Sequence, residues 1–387
     1  MACIFFFSIP AHGHVNPTLP LVRELTTRSH RVIYYETEEF RAKIEAAGAE
    51  FVSIEPYMPP APANIDQIAG KDFAALIDMV TKTTLGLDQK IAEDIKQEQP
   101  SVIIGDSVCF WGRLFAKKHG IPFVCSTTTF AFNQHTARRM KKKPLEILRT
   151  IAGMPRIEKS MQRLREHGYS VSSFIDVIGN DDKTDTIVYT SRTFQPDGEI
   201  FGDNYAFVGP LVASRCFRKP HTRPLVYISL GTVLHNAPHF YRQCLRALAK
   251  MDCDAILSIG NAVSPESLGN IPDHVQIFPR VNQLEVLASA DVFLTHCGMN
   301  SVSESLLCGV PMVLFPQHSE EEAVAGRAEE LGAGLRLKRA TPRCIRKALE
   351  TVLSQKQYKA AAQTIAEDFA RCGGAKEAAD FIENRTN

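Results

Sequence analysis

Short apolar runs and helical periods alternate along this chain. In its first half the runs fall at residues 3–9, 30–35, 50–54, 101–105, 123–126 and 186–189 and are rich in Ile, Val, Phe and Tyr. They are continuous rather than alternating with polar residues, the pattern of a strand covered on both faces. Between them residues 18–28, 40–47, 73–97 and 111–119 carry apolar positions at helical spacing, with Gly48 and Gly120-Ile121-Pro122 as stops. Such alternation predicts a parallel sheet with helices on both faces. The stretch 136–185 has a weaker strand signal and reads as helices and loops, an insertion able to line a pocket. Its Lys141-Lys142-Lys143 run reads as a solvated helix end.

Near 209–224 the composition changes to Pro, Arg, Lys and His, as in a linker, and a second series of runs follows at 225–230, 255–259, 275–278, 292–295 and 312–315. A chain of 387 residues also exceeds one ordinary core. The expected fold is α/β: two Rossmann-like, doubly wound parallel-sheet domains facing a cleft at the strand ends. The expected divisions are 1–212, a linker at 213–223, a second domain at 224–360, and a C-terminal helix, 361–387, returning to the first.

Composition removes several function classes. With 44% hydrophobic residues, 22% charged and a net charge of +1, neither disorder nor a global attraction to nucleic acid is indicated. Any phosphate must be held by local geometry. No apolar run reaches the roughly eighteen residues a membrane span needs. The opening Met-Ala-Cys-Ile-Phe-Phe-Phe lacks the basic start of a signal peptide and reads as a first strand. Ten cysteines without a C-x-x-C pair suggest free thiols in a reducing cytoplasm.

The candidate chemistry lies first at 291–332. The run Asp291-Val-Phe-Leu-Thr-His296 reads as a buried strand, and Cys297-Gly298-Met299-Asn300 turns into a helix expected near Ser301. Exposed amides at a helix start bind phosphate, and Gly298 lets the backbone come close. His296 is placed to add a donor. Glu304, four residues after Asn300, can accept from a ribose diol one turn higher. The competing reading makes Ser301-x-x-Glu304 a capping box and His296 a core histidine. A further apolar run then ends in Pro316-Gln-His-Ser-Glu320-Glu321. Upstream, Ser229-Leu-Gly231-Thr232 is a hydroxyl-bearing turn after a strand, able to reach a diphosphate from the other side.

In the first half, His12-Gly13-His14 follows one strand and Asp106 ends another. Carboxyl ends of parallel strands line one crevice, so a loop histidine and a strand-end aspartate can meet there as base and supporting acid.

These residues resemble the UDP-dependent glycosyltransferases of the GT-B fold, specifically the bacterial macrolide and flavonoid enzymes. His-Cys-Gly-x-Asn-Ser-x-x-Glu-Ser, Gly-Val-Pro-Met-Val-x-x-Pro-Gln and the acidic pair after it carry the resemblance, as does Ile9-Pro-Ala-His-Gly-His14-Val-Asn-Pro17, so it spans most of the chain. It implies an inverting transfer of a hexose, glucose by default, from a UDP-sugar to a hydroxyl of a hydrophobic small molecule bound mainly by the N-terminal domain. It implies His14 as base with Asp106 as its acid, Ser229, Gly231 and Thr232 on the diphosphate, and His296, Gly298, Asn300, Ser301 and Glu304 on diphosphate and ribose. Arg280 and Val281 would meet uracil, with Gln283 of the same segment also donor-binding. Glu320 and Glu321 would hold the sugar, although relatives have glutamine where this chain has Glu321, an acceptor-only group when ionised. No metal or other cofactor is expected. Asp252-Cys253-Asp254 imitates the D-x-D pair of metal-dependent transferases but reads as a polar strand entry. Two other classes stay open: a non-catalytic auxiliary protein of this fold, and a UDP-sugar hydrolase or epimerase. The acceptor and the oligomeric state are not encoded in these motifs.

Overall fold

In a computed structural model of the chain, which describes residues 1–59, 72–133, 144–179, 183–212, 222–231 and 237–386, the first apolar run becomes β1 (Cys3–Phe7). The side chains of 144–150 and 386 are not described. The lysine run at 141–143, Thr232 and most of the expected linker lie outside these residues. Successive β1 side chains enter opposite cores: Ile4 and Phe6 join one apolar cluster, Phe5 and Phe7 another. This two-sided burial is why the run shows no polar alternation.

The chain falls into two compact units. The first comprises Met1–Tyr189, Asp197–Leu211 and Gly373–Asn387; the second comprises Thr190–Pro196 and Val212–Cys372. In the first, β1 joins β2 (Arg31–Glu36), β3 (Glu50–Ser53), β4 (Val102–Asp106), β5 (Phe123–Thr127), β6 (Asp185–Val188) and β7 (Tyr205–Phe207) in the order β3-β2-β1-β4-β5-β6-β7. Every pairing is parallel. Stacked aromatic pairs, Phe6 on Tyr34 and Phe7 on Tyr35, each with ring centres 4.6 Å apart, fix the register of β1 against β2. The final helix, Gly374–Thr386, buries Ala378, Ala379 and Ile382 in one of these cores, and its Glu383 accepts from Arg28 at 2.9 Å.

The second unit repeats the plan with β8 (Leu225–Ser229), β9 (Asp254–Ser258), β10 (Val275–Phe278), β11 (Val292–Thr295), β12 (Met312–Leu314) and β13 (Gly334–Arg336), in the order β10-β9-β8-β11-β12-β13, again all parallel. The two-sheet α/β fold is therefore the expected one. β7 and β13, at three residues each, are too short to show a period and were not expected from the pattern.

Strand order reverses between β1 and β4 in one sheet and between β8 and β11 in the other. Crevices for ligands open at the carboxyl ends of such strand pairs. His12–Val15 follows β1, Asp106 ends β4, Ser229 ends β8 and His296 follows β11. Among the described residues no helix is long and apolar enough to cross a membrane. Among the described residues eight cysteines carry free thiols and Cys308 is disulfide-bonded, which departs from the expectation of free thiols throughout.

Candidate active site

After β1 the chain turns through extended Ala11 into the single helical turn His12–Val15, and Pro17 lies in the first turn of the 3-10 segment Asn16–Thr18 behind it. Proline suits this position because its φ is already helical. The turn sets His14 Nδ1 at 2.8 Å from Asp106 Oδ2. The Asp106 side chain is fully buried, and its other oxygen accepts from the Val108 amide at 2.9 Å. A carboxylate only accepts, so Nδ1 carries the proton and Nε2 keeps the lone pair. The His14 side chain remains 18% exposed, as a base that meets a ligand must. Thr128 Oγ1 lies 3.1 Å from the same Nδ1, a contact the motifs did not reveal. Its position just after β5 is the signal that could have found it. His12 points elsewhere, pairing with exposed Glu39 at 3.1 Å and meeting the Phe40 ring edge-on.

In the second unit, β11 leads through His296 and Cys297 into the helix Met299–Leu307. The helix starts two residues before the expected Ser301. Cys297 has φ 72°, a left-handed conformation that a non-glycine residue seldom adopts outside functional turns. Gly298 is the N-cap, and no side chain caps this helix start. In the first turn the amides of Met299 and Ser301 have no carbonyl partner inside the helix. Ser301 and Glu304 do not form a capping box: Glu304 Oε2 instead accepts from Gln283 Nε2 at 2.7 Å.

Two glycines make room for the His296 ring. A Cβ at Gly231 would lie 2.4 Å from its Cε1 and one at Gly298 2.6 Å from its Nε2. Gly231 is also left-handed, at φ 72°, with its amide donating to Ser229 Oγ at 3.2 Å. Burial, with His318 adding to it, pushes the His296 pKa down to about 4, so the ring is neutral at pH 7 and can donate one N–H without carrying charge. The folded state then binds fewer protons than the unfolded one below the ordinary histidine value of 6.5. The stability that His296 contributes is complete above that value and is lost as pH falls toward 4, up to about 3 kcal/mol. Urea unfolding at several pH values will show this slope in the native protein and a flatter one in His296→Gln.

Gln283 organises the next part of the site. Its Nε2 donates to Glu304 and, at 3.2 Å, to Ser301 Oγ, while its Oε1 accepts from the buried Tyr227 hydroxyl at 3.2 Å. Tyr227 thus holds Gln283, and Gln283 holds Glu304. The motifs pointed to Gln283 and Glu304 but not to Tyr227. Burial raises the Glu304 pKa and the Gln283 bond opposes that rise. On the expectation that Glu304 takes the ribose of a UDP-sugar, Gln283→Ala should weaken UDP binding by about tenfold, the worth of one bond to a charged group; titration calorimetry reads it. Arg280 is exposed beyond β10, and Val281 beside it is partly buried.

The acidic pair is divided. Glu320 is exposed, whereas Glu321 is buried and its Oε2 accepts from the Gln317 and His318 amides at 2.7 and 3.1 Å. One Glu321 oxygen therefore closes the start of the helix Ser319–Glu330. Asp252 and Asp254 both bind Arg223, at 2.9 and 3.1 Å. That ion pairing suits the polar strand entry expected of them.

With this geometry in view, residues 242–384 match the family described as the erythromycin biosynthesis protein CIII-like C-terminal domain. The NDP-glycosyltransferase YjiC of Bacillus licheniformis is 34% identical, over 98% of this chain and 96% of its own. The demethyllactenocin mycarosyltransferase of Streptomyces fradiae is 30% identical, over 99% of this chain and 86% of its own. Among solved structures, the glycotransferase of kitacinnamycin superposes with a TM-score of 0.85 at 28% identity, covering 99% of this chain and 98% of that one. The chain belongs to the bacterial glycosyltransferases of the GT-B fold.

Proposed function

We propose that this glycosyltransferase moves a hexose, glucose by default, from a UDP-sugar to a hydroxyl of a hydrophobic natural product, inverting the anomeric carbon and using no metal. The observation that carries the reading is the 2.8 Å contact between His14 and buried Asp106, which leaves Nε2 as a base. In the proposed step Nε2 takes the proton of the acceptor hydroxyl, the oxygen bonds to the sugar carbon, and the bond to the diphosphate breaks on the opposite face. Asp106 stabilises the imidazolium that forms. The leaving UDP takes the electron pair, and its charge is met by the first-turn amides of the helix Met299–Leu307 and by the neutral His296 ring.

Glu304, held by Gln283, takes the ribose diol in this reading, and Arg280 with Val281 takes the uracil. Glu320 and the free oxygen of Glu321 face the sugar. The acceptor in this reading is a macrolide or flavonoid; a natural-product acceptor is in line with the Streptomyces fradiae relative, whose name puts a mycarosyl group on demethyllactenocin. Incubation with UDP-glucose and a panel of polyphenols and macrolides tests the proposal, with UDP release and product mass as readouts. Release that tracks a glycosylated product supports it. Release without an acceptor would show a hydrolase, and silence with every donor would show an auxiliary protein.

A further inference from the structure

β2 ends in a carboxyl that the proposed reaction does not use. Glu36 is fully buried; its Oε1 accepts from the Thr37 amide at 2.9 Å, while Oε2 has no hydrogen-bond partner among the described residues. A buried carboxyl oxygen left unpaired costs stability, so such a residue calls for a reason.

Register shows where it stands. Phe7 of β1 pairs with Tyr35 of β2 on one side and Gly105 of β4 on the other. One residue further along, buried Ser8 comes level with both Glu36 and Asp106, and the three share one face of the sheet. Neighbouring strands are about 4.8 Å apart, so roughly 10 Å separates the backbones of Glu36 and Asp106. The segment bearing His14 lies over that face: Thr18 at its end meets the hydroxyl of Tyr34, two residues before Glu36, at 2.9 Å.

We propose that Glu36 is a positioning residue acting through His14, a second acid whose ionisation sets how strongly that histidine holds a proton. The proposal rests on His14 being the base. With Glu36 protonated, Asp106 is the one negative charge beside the imidazole; with Glu36 ionised there are two, and the imidazolium is favoured. Burial lifts the Glu36 pKa to about 8, with Asp106 adding to the rise and His14 opposing it. The change therefore falls within the working range of an enzyme, and the two groups titrate as a coupled pair. Glu36 exchanges its proton with solvent and makes or breaks no other bond.

Of the other titratable groups near it among the described residues, His12 of the same turn as His14 pairs with Glu39 at 3.1 Å. Tyr34, on the same strand, and Cys109, before the helix Phe110–His119, are both pushed well up by burial and stay neutral. The flanking strands β1 and β3 offer Ser8 and Ser53, which do not titrate.

The test follows the His14 ring by NMR from about pH 5 to about 9.5, the span in which imidazole and Glu36 change charge. Spectra of the native protein, with His14 assigned by its absence in His14→Ala, are compared with those of Glu36→Gln. The native curve should show two inflections, and Glu36→Gln one, at lower pH. Turnover of Glu36→Gln should match the native enzyme near pH 6.5 and fall about three- to tenfold behind it near pH 9, with KM for the donor unchanged. A single His14 inflection in the native protein, or identical curves in the two proteins, overturns the proposal. Should Glu36→Gln fail to fold, the native curve alone decides. An inactive His14→Ala beside an unaltered Glu36→Gln profile would overturn the role of Glu36 and leave the base in place. A fully active His14→Ala would overturn both.

Discussion

His14→Ala is expected to lower kcat for acceptor glycosylation by about 10²–10⁴-fold, the range for removing a general base. Donor affinity should hardly move, while stability should fall by about 1–3 kcal/mol because the buried Asp106 carboxylate loses its partner. The His14 side chain packs little, being partly exposed, and its fixed partner is Asp106, so truncation removes a ring without opening a core cavity. In the proposed reading UDP binding belongs to groups of the other unit and serves as the internal control. Asp106→Asn makes the complementary case. The amide can present its NH₂ to Nδ1, which moves the imidazole proton to Nε2 and removes the lone pair needed for base catalysis. Its kcat should fall by a similar factor. Steady-state rates, UDP titration and thermal melts of the two variants check these outcomes together, and turnover at the native rate in His14→Ala would end the assignment.

Gly231→Ala is expected to abolish measurable UDP binding and to destabilise the protein by about 2–4 kcal/mol. The backbone there is left-handed, at φ 72°, which an alanine enters only at a cost of about 1–2 kcal/mol. The new methyl would also stand 2.4 Å from the His296 ring, a rigid and buried neighbour. Either the ring leaves its place or the turn opens, and both displace the groups assigned to the diphosphate. Gly260, also left-handed at φ 75°, has nothing within 4 Å of a Cβ, so Gly260→Ala pays the backbone cost alone and should still bind UDP. Calorimetry of UDP binding and urea unfolding of the two variants separate strain from collision.

Most of the framework was legible in the chain. Continuous apolar runs announced strands buried on both faces, and the motif residues fall at the carboxyl ends of β1, β4, β8 and β11 as their positions after apolar runs implied. The pair His14–Asp106 was legible too, because a doubly wound sheet brings such ends together. The meaning of Ser301-x-x-Glu304 was not. The same four residues serve a capping box or a ligand-facing carboxylate, and the choice depends on the helix beginning at Met299 and on Gln283 reaching across to Glu304.

Glu320 and Glu321 make the same point from the other direction. Side by side in the sequence they read as a pair, yet one is exposed and the other turns back onto two amides at the start of its own helix. The sequence by itself determined two parallel α/β units, the strand ends that carry the chemistry, and the glycines and histidines placed there, since periodicity and residue type are local properties. Only the tertiary structure decided which polar side chains meet: Thr128 with His14, Tyr227 through Gln283 with Glu304, and Glu36 in the row of Asp106. The reason is physical: those meetings depend on register and packing between segments far apart in the chain, and no local pattern records them.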